Sequence, residues 1–310
     1  MTLMSASNDP PATGQRPGSD AGAPVGTVAD TLERGARSLA GHSESPRLDA
    51  ELLLGKILGL PRSGLIAHGD EPIAGERASA YATLLERRLN GAPVAYLTGI
   101  REFWSLPLKI TPAVLVPRPE TELLVELALE LLGKHPPRPS ADEPPSILDL
   151  GTGSGAIALA LASERPAWRI TGVDVSPAAL EVAIQNSRDL ELAHIDWRLG
   201  SWFGAVPGER FDLILSNPPY VAAADPALDE LSAEPALALK GGATGLEALS
   251  AIAGAAAAHL RGHGWLILEH GSDQAPAVAA LLRRHGFDRV HSHPDFCGKP
   301  RATLGTVYSP

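Results

Sequence analysis

The first third of the chain spaces its apolar residues three and four apart. Leu48, Leu52, Leu53 and Ile57, and then Ala78, Tyr81, Leu84, Leu85 and Leu89, recur as one buried helical face would. The stretches "LGLPRSG" and "HGDEP" break that pattern, so residues 27–90 read as a small domain of several helices. Residues 1–26 are rich in Pro, Gly, Ala and Ser without periodicity; they bury too little to offset their ordering and read as a disordered tail. Over residues 91–116 the pattern turns to alternation, and "REFWSLPLKI" predicts a short hairpin linking two parts. Next, "RPETELLVELALELLG" has an early proline, acidic residues in its first turn and a glycine at its end, the marks of a helix. The Pro-rich "KHPPRPSADEPP" then loops out.

From residue 146 short apolar runs alternate with helical stretches. "SILDL", "RITGVDV", "FDLILS" and "GWLILEHG" read as strands; helices begin at Ala156, after Ser176 and near Leu246, with Ser176 as a cap and Pro177 at the first position. A last helix, "AVAALLRRHG", leads to "FDRVHSHP" and "ATLGTVY", which suit an antiparallel edge pair. Continuously apolar strands separated by helices predict an α/β fold over residues 117–310, with a doubly wound, mostly parallel sheet covered on both faces.

Composition narrows the class. At 310 residues the chain accommodates a large domain and a small one. No stretch approaches the roughly 20 apolar residues that span a bilayer, and the first residues lack a basic start followed by an apolar block, so the reading is a cytoplasmic, non-membrane protein. The single cysteine, Cys297, has no intrachain disulfide partner, in keeping with a reducing compartment. A net charge of −10 disfavours direct binding of nucleic acid.

Candidate chemistry gathers at the ends of the strands. "DLGTGSGAIALALA" puts Gly151, Gly153 and Gly155 where a strand turns into a helix, a place that admits close backbone approach and offers free N–H groups to a nucleotide-like ligand. Asp174 closes the next strand, where an acid can accept from ribose hydroxyls. Gly151, Gly153 and Ala156 also satisfy a dinucleotide fingerprint, so the loop alone leaves NAD and S-adenosylmethionine open, beside a plain packing turn. The stretch "SNPPY" shifts the balance. Pro218 and Pro219 have no N–H, so this corner presents carbonyls and few donors. It suits a target that is itself a donor: an NH₂ group held by the Asn217 side-chain oxygen and the Pro218 carbonyl, against the face of Tyr220. Taken alone, the same residues are also ordinary loop punctuation.

With these motifs, the chain resembles the bacterial N5-glutamine methyltransferases that modify peptide chain release factors. "REFWSLPL", "VLVPRPETE", "ILDLGTGSGAIALALASERP", "SNPPYV", "EPALAL" and "LEHG" occur in that family's order, and the resemblance covers residues 27–308. It implies a seven-stranded methyltransferase sheet, S-adenosyl-L-methionine as donor, and an N-terminal helical domain that recognises the substrate. It also implies transfer to the glutamine of the Gly-Gly-Gln motif in class 1 release factors. Carried over by position, the cofactor loop falls on Gly151, Thr152, Gly153, Ser154 and Gly155, the ribose acid on Asp174, and an adenine-side aromatic on Trp202. Ser201 stands where the family often has an acid, which removes an expected contact to the adenine amino group. Asn217, Pro218, Pro219 and Tyr220 fall on the substrate corner, with Asn217, Pro218 and Tyr220 in catalytic roles and Asn217 also beside the methyl donor. Phe103 is the implied wall of the glutamine slot, and the "PRPETE" motif brings Glu120 and Glu122 toward the site.

Three competitors remain at this stage: glutamine methylation of a ribosomal protein, exocyclic-amine methylation of a nucleic acid, and an NAD-dependent oxidoreductase. The acidic balance weighs against the second, and nothing marks a nicotinamide half-site for the third. His291, His293, Asp295 and Cys297 are all potential ligands in "HSHPDFC", but their spacing fits no zinc pattern, so no metal is expected.

Overall fold

The computed structural model describes residues 26–134 and 143–307. The expected tail lies outside these residues except for Gly26, as do residues 135–142 of the Pro-rich loop and Tyr308 of the last expected strand. The chain divides into two compact units, one ending at Asn90 and one beginning at Gly91.

The first unit is helical: α1 (Val28–Ser38), α2 (Pro46–Leu58), α3 (Arg62–Ala67) and α4 (Gly75–Leu89). Thr27 and Asp30 close a capping box at the start of α1, and Pro46 opens α2. The buried face of α2 carries Ala50, Leu53 and Leu54, whereas Leu48 and Leu52 are 37% and 38% exposed. Three consecutive leucines fit two faces equally well by spacing. Packing against Tyr81 of α4, whose hydroxyl donates to the Ala50 carbonyl at 3.3 Å, selects the face that contains Ala50.

The second unit opens with α5 (Val94–Thr98) and the hairpin β1 (Ile100–Phe103) and β2 (Leu106–Lys109). This hairpin clusters with the second unit. Phe103 and Leu108 are buried in its core, and the turn is tied down by the Trp104 N–H, which donates to Glu122 Oε1 at 2.8 Å. A short 3-10 turn (Pro119–Thr121) leads into α6 (Glu122–Lys134). The sheet follows: β3 (Ser146–Leu150), α7 (Ala156–Glu164), β4 (Arg169–Asp174), α8 (Pro177–Asp189), β5 (Asp196–Leu199) and β6 (Phe211–Ser216). After it come α9 (Ala227–Glu230), α10 (Ala236–Leu239), α11 (Glu247–Ala256), β7 (Leu260–Glu269), α12 (Ala275–Arg284), β8 (Phe287–Pro294) and β9 (Pro300–Val307).

The seven strands lie in the order β5-β4-β3-β6-β7-β9-β8, and β9 alone runs against the direction of the other six. Side chains alternate between two cores: Ile147, Leu213 and Leu215 pack with α6 and α7, while Leu148, Leu150 and Ile214 pack with α11 and α12. From β3 the chain winds outward through β4 to β5, then crosses back to β6 on the other side of β3. The carboxyl ends of β3 and β6 therefore flank a topological switch point, where open α/β sheets hold their ligands.

Phe103, expected at the wall of a substrate slot, is 1% exposed and lies inside the core. Phe103→Ala is expected to lower unfolding stability by about 3–5 kcal/mol in a denaturant titration; stability equal to the parent would contradict this placement.

Candidate functional site

At the switch point a cavity of ≈ 330 Å³ opens between the strand ends and the segments that face them. Gly151, Thr152, Gly153 and Ser154 enter it after β3, Asp174 at the end of β4, Ser201 and Trp202 after β5, and Asn217 and Pro219 after β6. Residues scattered over some seventy positions are brought to one place because four parallel strands end on the same edge.

The glycine loop divides its work. Gly153 has φ of +57°, and a side chain added there would meet no protein atom within 4 Å, so it would stand in the cavity. Gly155, with φ of +82°, is not in the lining; a Cβ there would come within 2.9 Å of the Trp197 ring and 3.1 Å of Leu159. Its place is in helix–strand packing, one residue behind the part of the loop that lines the cavity. Beneath the loop, Asp149 is wholly buried, and its Oδ2 accepts the Thr152 hydroxyl at 2.6 Å. Burial raises its carboxyl to about 7, against the pull of that hydroxyl.

Asp174 is committed to the loop as well as facing the cavity. Its Oδ2 accepts the Gly153 N–H and its Oδ1 the Ser176 N–H, both at 2.9 Å. Each oxygen retains a lone pair for a ligand hydroxyl. Trp202 holds φ of +47°, a region bulky residues seldom occupy, and a ring carbon lies 3.6 Å from where a Gly151 side chain would begin.

The corner after β6 is built around one amide. Asn217 Nδ2 donates to Thr121 Oγ1 at 3.1 Å, which leaves Oδ1 as the free end of the side chain at the cavity. Pro219 lines the cavity; Pro218 is buried behind it, and its carbonyl accepts from no donor among the described residues. Tyr220 is not in the lining. Its ring packs against the second core and its hydroxyl donates to Glu269 Oε1 at 3.2 Å. Glu269 is itself buried, and burial raises its carboxyl to about 7, opposed by the neighbouring Thr121 and Tyr220 hydroxyls, of which Tyr220 donates to it.

The opposite wall comes from Ala113–Pro117, Thr121 and the segment around α10. Glu234 joins these pieces: its Oε2 accepts the Val116 N–H at 2.9 Å, and its Oε1 takes the Arg118 guanidinium. Glu122 holds the hairpin turn, and Glu120 adds a negative charge near Glu269, so neither enters the lining. Thr121, Asp149, Glu234 and Glu269 were not singled out from the sequence. Each nonetheless sits inside a quoted motif, and for Asp149 and Glu269 an acid in or directly after an apolar run was the available signal. In "HSHPDFC", Asp295 accepts the Cys297 and Lys299 N–H groups and the Arg301 side chain, which makes it the anchor of the β8–β9 turn.

Comparison with known proteins adds an independent line. Residues 30–99 match the family model described as PrmC N-terminal domain, and residues 128–243 match Methyltransferase small domain. The release factor glutamine methyltransferase of Xylella fastidiosa strain Temecula1 is 47% identical over 261 residues, covering 84% of this chain and 92% of that protein. The protein of the same description from Escherichia coli strain K12 is 43% identical over 268 residues, covering 86% and 94%. Among solved structures, the hMettl16 catalytic domain in complex with the MAT2A 3'UTR hairpin 1 superposes with a TM-score of 0.54 at 16% identity, covering 76% of this chain and 81% of that one. That likeness concerns the fold.

The two glycines separate by experiment. Either alanine strains a left-handed backbone; Gly155→Ala is expected to cost a further 1–3 kcal/mol, roughly, through overpacking against Trp197, whereas Gly153→Ala should in addition weaken S-adenosylmethionine binding in calorimetry. Equal affinity for the parent and Gly153→Ala would contradict the assignment of Gly153 to the cavity.

Proposed function

The chain belongs to the release factor glutamine methyltransferase family, and we propose that it methylates the side-chain amide nitrogen of the glutamine in the Gly-Gly-Gln motif of class 1 peptide chain release factors. The observation that carries this reading is the orientation of Asn217, whose amino group is spent on Thr121 and whose oxygen is left for a donor.

The cavity residues fit S-adenosylmethionine as the methyl donor. Gly153 leaves room that any side chain would fill, Asp174 keeps acceptor capacity for hydroxyls, and Trp202 gives an aromatic face. Gly151, Thr152, Gly153, Ser154, Asp174 and Trp202 would hold the group, and Ser201 adds only a hydroxyl beside it. Bound there, S-adenosylmethionine supplies an electrophilic methyl carried on a sulfonium sulfur.

An amide nitrogen is a poor nucleophile because its lone pair is delocalised into the carbonyl. The site therefore has to hold that nitrogen in line and offset the positive charge that grows on it. Alignment alone can contribute roughly 7–11 kcal/mol toward lowering a barrier. Asn217 Oδ1 and the Pro218 carbonyl accept the two amide hydrogens, with no N–H from either proline to repel them. As charge develops, both acceptors interact more strongly with the nitrogen, the counterpart in sign of an oxyanion hole. Pro219 shapes the corner. Tyr220 acts behind it, through Glu269. As the nitrogen gains the methyl it sheds one of its N–H protons, and because the N-methylated, N-protonated amide is a strong acid that proton passes to solvent, so no dedicated general base is required by this scheme. The helical unit over residues 27–90 takes the role of substrate recognition, and a release factor substrate implies a cytoplasmic enzyme that acts on protein rather than on nucleic acid. No described helix is long and apolar enough to cross a membrane.

Incubation with a release factor and S-adenosylmethionine should add one methyl to the glutamine-bearing peptide, read by mass spectrometry. No mass gain would overturn the reading. Asn217→Ala is expected to lower kcat on the order of 10²-fold, and full turnover would refute the acceptor corner.

A further inference from the structure

Asn186 lies in the last turn of α8, is 1% exposed and takes no part in the cavity lining. A buried side-chain amide has an oxygen and two hydrogens, and each needs a partner. Here each has one. Oδ1 accepts the Lys109 N–H at 2.7 Å, and Nδ2 donates to the Lys109 carbonyl at 3.1 Å and to the Ser154 carbonyl at 3.0 Å. One donor and two acceptors around the group admit a single orientation of the amide. A carboxylate of the same shape could answer the N–H but neither carbonyl, and a leucine could answer none of the three.

The partners belong to separate parts of the second unit. Lys109 ends β2 of the hairpin, whereas Ser154 sits in the glycine loop and lines the cavity just ahead of α7. The peptide that follows Ser154 is held from both sides. Its N–H, that of Gly155, donates to the Thr152 carbonyl at 2.8 Å, and its carbonyl is taken by Asn186. Gly155 has φ of +82° and no side chain to resist rotation, so a loosened peptide plane could turn there. Turned over, it would bring the partial negative charge of the Ser154 carbonyl toward the place where the start of α7 offers N–H groups to a ligand.

We propose that Asn186 is a positioning residue for the methyl donor: its amide locks the Ser154–Gly155 peptide and ties the donor loop to the β1–β2 hairpin. The inference deepens the function proposed above and rests on its assignment of the cavity to S-adenosylmethionine. Because one amide holds both loop and hairpin, a ligand that steadies the loop steadies the Lys109 contacts in return. A control lies close by. Lys109 Nζ stands 2.6 Å from Asp189 Oδ2, an exposed ion pair that joins the same strand to the same helix without reaching the loop.

The test compares wild type with Asn186→Ala, Asn186→Asp and Asp189→Ala. Its readouts are S-adenosylmethionine affinity by calorimetry, KM for the donor, kcat at saturating donor, thermal unfolding without ligand, and hydrogen exchange at Lys109. Both Asn186 variants are expected to bind S-adenosylmethionine at least about 5-fold more weakly and to raise its KM alike, with kcat at saturating donor near that of wild type. Asp189→Ala should keep the wild-type affinity. In wild type, saturation with S-adenosylmethionine should slow exchange of the Lys109 N–H, whose acceptor is Asn186, by more than that of the β8 amides at the far edge of the sheet. Wild-type affinity in a folded Asn186 variant, or an equal loss in Asp189→Ala, would overturn the proposal. Should neither Asn186 variant fold, the exchange measurement decides: slowing at Lys109 supports the proposal and unchanged exchange overturns it. If wild type itself does not bind S-adenosylmethionine, the reading of the cavity falls and takes this inference with it; if wild type binds and Asn186→Ala binds equally well, this inference falls alone.

Discussion

The hydrogen bond from the Asn217 amide to the Thr121 hydroxyl, 3.1 Å long, joins the end of a central strand to the start of a helix that covers the sheet. A side-chain amide has one end that donates and one that accepts, and fixing one end fixes what the other offers. With its NH₂ group engaged, Asn217 offers an oxygen, and two prolines behind it keep backbone donors away. The chemistry of the corner follows from that polarity, since a substrate NH₂ group finds acceptors there and a carbonyl would not.

The rest of the fold brings this amide to the donor cavity. Because the sheet reverses its winding between β3 and β6, the glycine loop and the Asn217 corner leave adjacent strands at the same edge. The facing wall is assembled from distant segments, and Glu234 clamps it by holding both Val116 and Arg118. Below the loop, Asp149 holds Thr152; behind the corner, Glu269 holds Tyr220. Two buried acids thus support the two halves of the site without lining it.

Much of this was legible in the chain. The apolar strand runs and the glycine turn gave the sheet and the place of the cavity, because periodicity and backbone freedom are local properties. The four-residue β5 escaped, since "DWRL" is a short polar edge strand paired only with β4. Among the site residues, Gly151, Thr152, Gly153, Ser154, Asp174, Trp202, Asn217 and Pro219 do meet at the cavity. Gly155, Phe103, Pro218 and Tyr220 do not line it: Gly155 packs against Trp197, Phe103 lies in the core shared with α6 and α7, Pro218 is buried, and Tyr220 bonds to Glu269. The sequence marks a residue as special but does not say whether it faces a ligand or supports one that does. The supporting acids were hidden for the same reason, as their meaning lies in contacts such as Glu234 with Val116, 118 positions apart.

The central claim, that Asn217 holds the substrate glutamine by its amide hydrogens, is tested most directly by a binding cycle. Release factors with the native glutamine and with leucine in its place would be titrated against wild type and Asn217→Ala, each loaded with S-adenosylhomocysteine. The account predicts that the leucine exchange weakens binding to wild type by about 1 kcal/mol and leaves binding to Asn217→Ala nearly unchanged. Equal losses with both enzymes would contradict it.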